Sequence, residues 1–226
     1  RVVQCPTEEA EAEKVVTELL NHKVMQRCEF RDYAVLYRGN FQARVMETKL
    51  REFQIPYKIS GGQSFFARSE IKDVMAYLRL IINPEDDNAF LRIVNTPKRE
   101  IGPSTLEKLG SYSQQRECPM LLACDELGLG LHVGDRALTR LQEFSAWIGS
   151  TARAIIGGNE PLNDIKQMLL DIDYNDYLLE QSATPQAAER RMESVNSFLS
   201  SVQRLWEKAE DEEDRDIEAV IRKLVL

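Results

Sequence analysis

Lys98 and Arg99 stand directly ahead of Glu100-Ile101-Gly102-Pro103-Ser104-Thr105, and this run holds the groups with the clearest chemical use in the 226-residue chain. Pro103 suits the first position of a helix, because the N–H it lacks would have had no intrahelical acceptor there. Gly102 before it allows backbone to come close to a ligand. The amides of Ser104 and Thr105 are then expected to point outward with the positive end of the helix dipole, and an oxyanion is the natural partner. Lys98 and Arg99, both expected to face solvent, add full charges beside them.

A helix over residues 88–94, the turn, and a helix over 103–109 would form a helix-hairpin-helix, an arrangement that holds duplex backbone without reading bases. An ordinary tight turn between packed helices is the other reading. Arg38, in Tyr37-Arg38-Gly39-Asn40-Phe41-Gln42, follows an apolar run of strand length and would lie beyond a strand's carboxyl end, where parallel sheets bind ligands. Asn40 could cap the next helix. The alternative for Arg38 is a surface arginine paired with a carboxylate. Phe65-Phe66-Ala67-Arg68 sets two aromatics beside a cation, which suits stacking on bases or, equally, anchoring a domain junction.

Parts for catalysis are missing. No G-x-x-x-x-G-K-[ST] loop is present to cradle a triphosphate, and neither Gly61-Gly62 nor Gly157-Gly158 leads into the required lysine and hydroxyl. Neither His22 nor His132 stands beside an obvious nucleophile, and Asp86-Asp87 decorate a helix start. Cys5, Cys28, Cys118 and Cys124 form no CxxC pair, so reduced structural thiols are expected and a metal site is not. No catalytic residue is assigned.

These groups need elements to position them. Val2-Val3, Tyr33–Tyr37 and Ile55–Ile59 have strand composition, and helices are expected from Thr7 to about Asn21 and from about Gln42 to Phe53. Alternation of this kind predicts part of a parallel sheet with helical crossovers. After Gly61-Gly62 the pattern turns helical, so the boundary is set at residue 60. Ile71, Met75, Leu78 and Ile82 line one helix face, and Asn83 is expected to cap the next helix with Pro84 at its first position. Further helices are predicted near 119–126, 135–155, 161–170, 185–210 and 216–226, with 210–216 a solvated charge run. An initial Arg and an apolar stripe running to the last residues give the expectation of a piece of a longer chain.

The net charge of -8 is unevenly spread. Residues 1–30 carry 4 basic and 6 acidic side chains, residues 31–110 carry 13 and 10, and residues 111–226 carry 12 and 21. A locally positive middle suggests one polyanion-facing surface in a molecule that otherwise discourages indiscriminate contact. No apolar run approaches the roughly 20 residues of a membrane span, and the expected location is cytoplasmic.

The stretches DYAVLYRGNFQAR, IPYKISGGQSFFARSEIKDVMAYLRL and INPEDDNAFLRIVNTPKREIGPSTLEKL resemble bacterial superfamily 1A DNA helicases of the Rep, UvrD and PcrA type. YKISGG and NTPKREIGPSTL most resemble the Rep branch. The resemblance is strong over residues 31–110, extends in pattern over the first thirty, and is loose in the acidic remainder. It implies an α/β plus mainly α fold: residues 1–60 as part of the second RecA-like motor domain (2A), and residues 61–226 as a helical 2B-type domain, truncated at its C-terminus.

By the same resemblance, Arg38 meets single-stranded DNA, Lys72 and Thr105 lie near duplex, and the Ile101-Gly102 turn rests on duplex backbone. Arg68 and Arg79 lie in similarly matched segments, and Gly61-Gly62 near the hinge of the helical domain. Glu100 stands where the family often has glycine, and Ala43 where it has serine. The parent would translocate 3′ to 5′ on single-stranded DNA with ATP and Mg2+ in replication restart or repair. This chain, without cofactor, would only bind. Its implied partners are single-stranded and duplex DNA without sequence preference, the remainder of the helicase, and replication or repair proteins, with no membrane. The competing reading is a protein-interaction or autoregulatory helical module with secondary DNA contact.

Overall fold

The computed structural model describes residues 2–208 and 216–225, with Asn40 and Phe41 described for their backbone alone. The chain divides into two compact units, residues 1–69 and 70–226.

In the first unit α1 (Glu8–Gln26) packs on α2 (Asn40–Glu52). The Thr7 hydroxyl accepts the Ala10 amide at 3.1 Å, satisfying an orphan donor of the first turn. Val16, Leu50 and Ile55 form the core, with Leu19, Phe30, Met46 and Tyr57 packed against it. Lys49, nearly buried, is neutralised by Glu52 at 2.7 Å and Glu13 at 3.1 Å. Glu47 is 1% exposed. Its carboxylate accepts from Tyr57 Oη at 3.1 Å, the Phe65 amide at 3.0 Å and the Ser64 hydroxyl, which fixes the 3-10 turn Phe65–Ala67.

No strand forms among the described residues, so the expected partial parallel sheet is corrected to an all-helical architecture. Val2 and Val3 are exposed and irregular. Residues 33–37 and 55–59 both line an open cleft of ≈ 880 Å³. No backbone hydrogen bond joins them among the described residues. Strand-type composition favours extended backbone, but a ladder also needs a neighbour about 4.8 Å away, and neither segment supplies one to the other.

The second unit is a helical bundle around α3 (Ser69–Ile82), whose residues Ile71, Val74, Tyr77, Leu78 and Leu80 are fully buried. The apolar stripe read from the sequence understates this helix, which is covered on nearly all sides. Around it lie α4 (Asp87–Ile93), α5 (Pro103–Arg116), α6 (Met120–Ala123), α7 (Asp135–Gly157), α8 (Pro161–Asp171), α9 (Tyr174–Glu180), α10 (Pro185–Glu207) and α11 (Ile217–Val225). Asp86, not Asn83, caps α4, its Oδ1 accepting the Ala89 amide at 2.9 Å. Helix α9 lacks the usual start signal: its N-cap, Asp173, is left-handed and makes no side-chain cap bond. The charge run beginning at Glu210 lies, apart from Asp216, outside the described residues.

The buried carboxylates of this unit, Glu70 and Asp73, are paired. Asp73 accepts from Arg92 at 2.6 Å and from Tyr174 Oη at 3.0 Å, while Arg191 meets Glu70 at 3.3 Å. Burial raises the Asp73 pKa, with Arg92 and Tyr174 opposing the shift.

Candidate nucleic-acid interface

The loop between α4 and α5 is built by Asn95. Its Oδ1 accepts the amides of Arg99 at 3.3 Å and Ile101 at 3.2 Å, and its Nδ2 donates to the Ile101 carbonyl at 2.5 Å. One side chain thus stands in for a strand of backbone partners. The Ile101 side chain, 2% exposed, plugs the loop into the core. Ile101 therefore anchors the turn, since its side chain is buried and its amide and carbonyl are both engaged.

Arg99 also turns inward, contrary to the expectation that it faces solvent. Its guanidinium donates to the Ile93 carbonyl at 2.9 Å, to those of Val94 and Pro97 at 3.3 Å, and to Tyr77 Oη at 2.8 Å. It lies over the Phe144 ring at 4.7 Å. A cation at the carbonyl end of α4 completes acceptors that the helix leaves open and complements its dipole. Burial pushes the Tyr77 hydroxyl up to about 12, with Arg99 opposing. At neutral pH it keeps its proton and donates to the Thr96 carbonyl.

What remains open at the turn is narrower than expected. Lys98 and Ser104 are exposed, and Gly102 and Thr105 half-buried. The Thr105 and Leu106 amides both donate to the Gly102 carbonyl, at 3.0 and 3.1 Å. Pro103 has no amide, so Ser104 presents the free donor of this first turn. A Cβ added to Gly102 would meet nothing within 4 Å, and its φ of -70° suits any residue. Nothing within the chain demands glycine there, and the space above it is open to a ligand. Lys108, exposed one turn along α5 from Ser104, adds a cation on that face.

The residues missed by sequence reasoning are Arg136 and Arg140. Both extend from the start of α7 to Glu100, a left-handed residue of the turn with φ 54°. Arg136 reaches its Oε2 at 3.2 Å; Arg140 meets the same oxygen and donates to the Glu100 carbonyl at 3.0 Å. These two arginines, with Arg140's hydrogen bond foremost, hold the Glu100 carboxyl below its ordinary range. Their i,i+4 spacing shows that they share a helix face, but nothing local connects them with a turn 36 and 40 residues earlier.

The other candidates are dispersed. Lys72 is the exposed cation of α3. Arg79 is bound to the α4 cap, its Nε 2.8 Å from Asp86 Oδ2, beside a polar cleft of ≈ 300 Å³ shared with Asn83 and Arg222. In the first unit Arg38 is exposed, and its amide donates to Gln42 Oε1 at 3.1 Å. That glutamine, with the Gly39 amide also at 3.1 Å, secures the start of α2. The expected cap by the Asn40 side chain lies outside what is described. Arg68 is exposed over the Phe65 ring at 5.5 Å, while Phe65 and Phe66 are both buried, so these rings serve packing rather than base stacking. Gly61, with φ 84°, is exposed, as is Gly62. No group of three or more His, Cys, Asp or Glu suited to a metal occurs among the described residues. No described helix is long and apolar enough to cross a membrane.

The UvrD-like helicase C-terminal domain model matches residues 1–127, which include the entire turn and all of α5. The ATP-dependent DNA helicase Rep of Salmonella typhimurium is 44% identical over 226 residues, covering 100% of this chain and 33% of that protein. Rep of Escherichia coli K12 is 43% identical with the same coverage. The ATP-dependent DNA helicase PcrA of Bacillus subtilis is 35% identical over 181 residues, 80% of this chain and 24% of its own. The chain thus spans about one third of the Rep relatives' length. With more than half of its residues matched, it belongs to the UvrD-like helicase C-terminal domain family.

Proposed function

We propose that this chain is the DNA-holding and regulatory part of an ATP-dependent DNA helicase, gripping duplex backbone at the α4–α5 turn and single strand at Arg38. The whole protein would move 3′ to 5′ on single-stranded DNA with ATP and Mg2+ supplied by its other domains, acting in replication restart or repair. The reading rests on one observation above all: the space over Gly102 is open, with exposed Lys98 four residues before it and exposed Ser104, whose amide has no acceptor among the described residues, two residues after it. A phosphodiester oxygen suits that site, since amide, helix dipole and cation all favour negative charge. Thr105 offers its hydroxyl, Lys72 adds a cation, and Arg68 and Arg79 are secondary contacts. Gly61 and Gly62 are the proposed pivot.

Fluorescence anisotropy with labelled tailed duplex tests this. Two or three phosphate contacts give a log K against log salt slope of about -2 to -3, and Lys98→Ala lowers that slope by about 0.9. An unchanged slope in Lys98→Ala rejects the grip. The protein-interaction reading draws support from Leu127 and Leu131, which are 97% and 90% exposed; salt-insensitive capture of a protein with no DNA binding would favour it.

A further inference from the structure

We propose that Arg136 of α7 forms a second phosphate contact beside the Lys98–Ser104 turn, that Arg140 positions the turn for it, and that Glu100 occupies Arg136 as an internal anion until a duplex phosphate takes its place. The inference rests on the DNA-holding reading above. The two arginines lie beyond the residues matched by the family model.

The geometry separates their roles. Arg140 has only 24% of its side chain exposed and holds the turn at two points, the Glu100 carbonyl at 3.0 Å and its carboxylate. It is a positioning residue, because it fixes the left-handed Glu100 and hence the direction of the following Gly102 and Pro103. Arg136 has 81% of its side chain exposed and holds Glu100 through one contact of 3.2 Å. A single exposed ion pair is weakly bound, so Arg136 can exchange the carboxylate for a phosphate at little cost. The guanidinium is suited to that exchange, since its planar fork fits either oxyanion.

Charge gives Glu100 its function. Lys98, Arg136 and Arg140 present three cations around one carboxylate. Without Glu100 the cluster would attract any polyanion; with it, the positive field is reduced until a ligand reaches the turn and Arg136 together. The ligand class is the duplex sugar-phosphate backbone of the reading above, whose successive phosphates can offer one oxyanion to the Ser104 amide and another to Arg136.

The test measures affinity of the 226-residue chain for labelled tailed duplex between about 50 and 200 mM salt, where each phosphate contact contributes about 0.9 to the slope. Arg136→Gln should lower the slope by about 0.9, so its loss of affinity is about 3.5-fold greater at the lower salt than at the higher. Arg136→Lys, which keeps the charge, should retain the slope. Glu100→Gln, which keeps an acceptor for Arg140, should tighten binding several-fold, and circular dichroism should show all three variants folded. If Lys98→Ala lowers the slope but Arg136→Gln does not, or if Glu100→Gln weakens binding, this inference is overturned and the turn itself stands. If neither Lys98→Ala nor Arg136→Gln changes the slope, or the unsubstituted chain does not bind, the DNA-holding reading falls and this inference with it.

Discussion

Replacing Arg99 by alanine should unfold the helical unit at lower temperature while Lys98→Ala, one residue away, should not. The partners of the guanidinium set the size of the loss. Two bonds are well formed, to the Ile93 carbonyl at 2.9 Å and Tyr77 Oη at 2.8 Å. Each contributes about 1 kcal/mol for a half-buried charged donor, below the 1.5 to 3 of a charged bond at full strength. Stacking on Phe144 and the loss of methylene packing add about 1 kcal/mol. The total is about 3 kcal/mol, or roughly 6 to 12 °C for a unit of this size. Lys98, exposed and without a hydrogen-bond partner among the described residues, should cost less than about 0.5 kcal/mol. Trp147, with its ring 5.9 Å from the Arg99 guanidinium, provides a local signal in thermal unfolding followed by fluorescence and near-ultraviolet dichroism. Arg99→Lys should restore little, because an ammonium cannot span the same fork of acceptors. The reasoning is refuted if Arg99→Ala melts with the unsubstituted protein but loses DNA binding, for then the guanidinium would be a ligand contact.

Two further perturbations probe the bundle. Gly157→Ala should stabilise by about 0.5 to 1 kcal/mol through helix propensity, since an added Cβ there meets nothing within 4 Å; Gly158→Ala should destabilise, because its Cβ would lie 2.2 Å from the Ala154 carbonyl oxygen. Urea denaturation midpoints of opposite sign check the pair. Cys124 is fully buried, and desolvation raises its thiol pKa from 9.0 to about 12. It should react with a disulfide reagent only on unfolding, after the partly exposed Cys5, Cys28 and Cys118. A folded pKa above the unfolded one means the thiol's contribution to stability is intact below about pH 9 and declines as pH rises toward 12; melting across that range, compared with Cys124→Ala, measures it.

Much of the helical scaffold was legible because its signals are local. Pro103, Pro161 and Pro185 each open a helix where a missing amide costs nothing. The stripe Ile217, Val220, Ile221, Leu224 and Val225 is buried as its period required. The lack of a sheet among the described residues was not legible in the same way: Tyr33–Tyr37 has the composition of a strand, yet composition specifies only backbone preference, and pairing is a property of two segments.

By itself, then, the sequence determined where most helices start, which faces are apolar, and that cations gather at one turn opened by Gly102 and Pro103. Tertiary structure alone decided what those cations do. Arg99 and Lys98 are neighbours of similar charge, but one closes the end of α4 beneath Phe144 and the other meets solvent. Glu100 finds Arg136 and Arg140 only because the start of α7 packs beside the turn. Local preference extends over one or two turns of chain, whereas burial and charge pairing act across whatever the fold brings within a few ångströms.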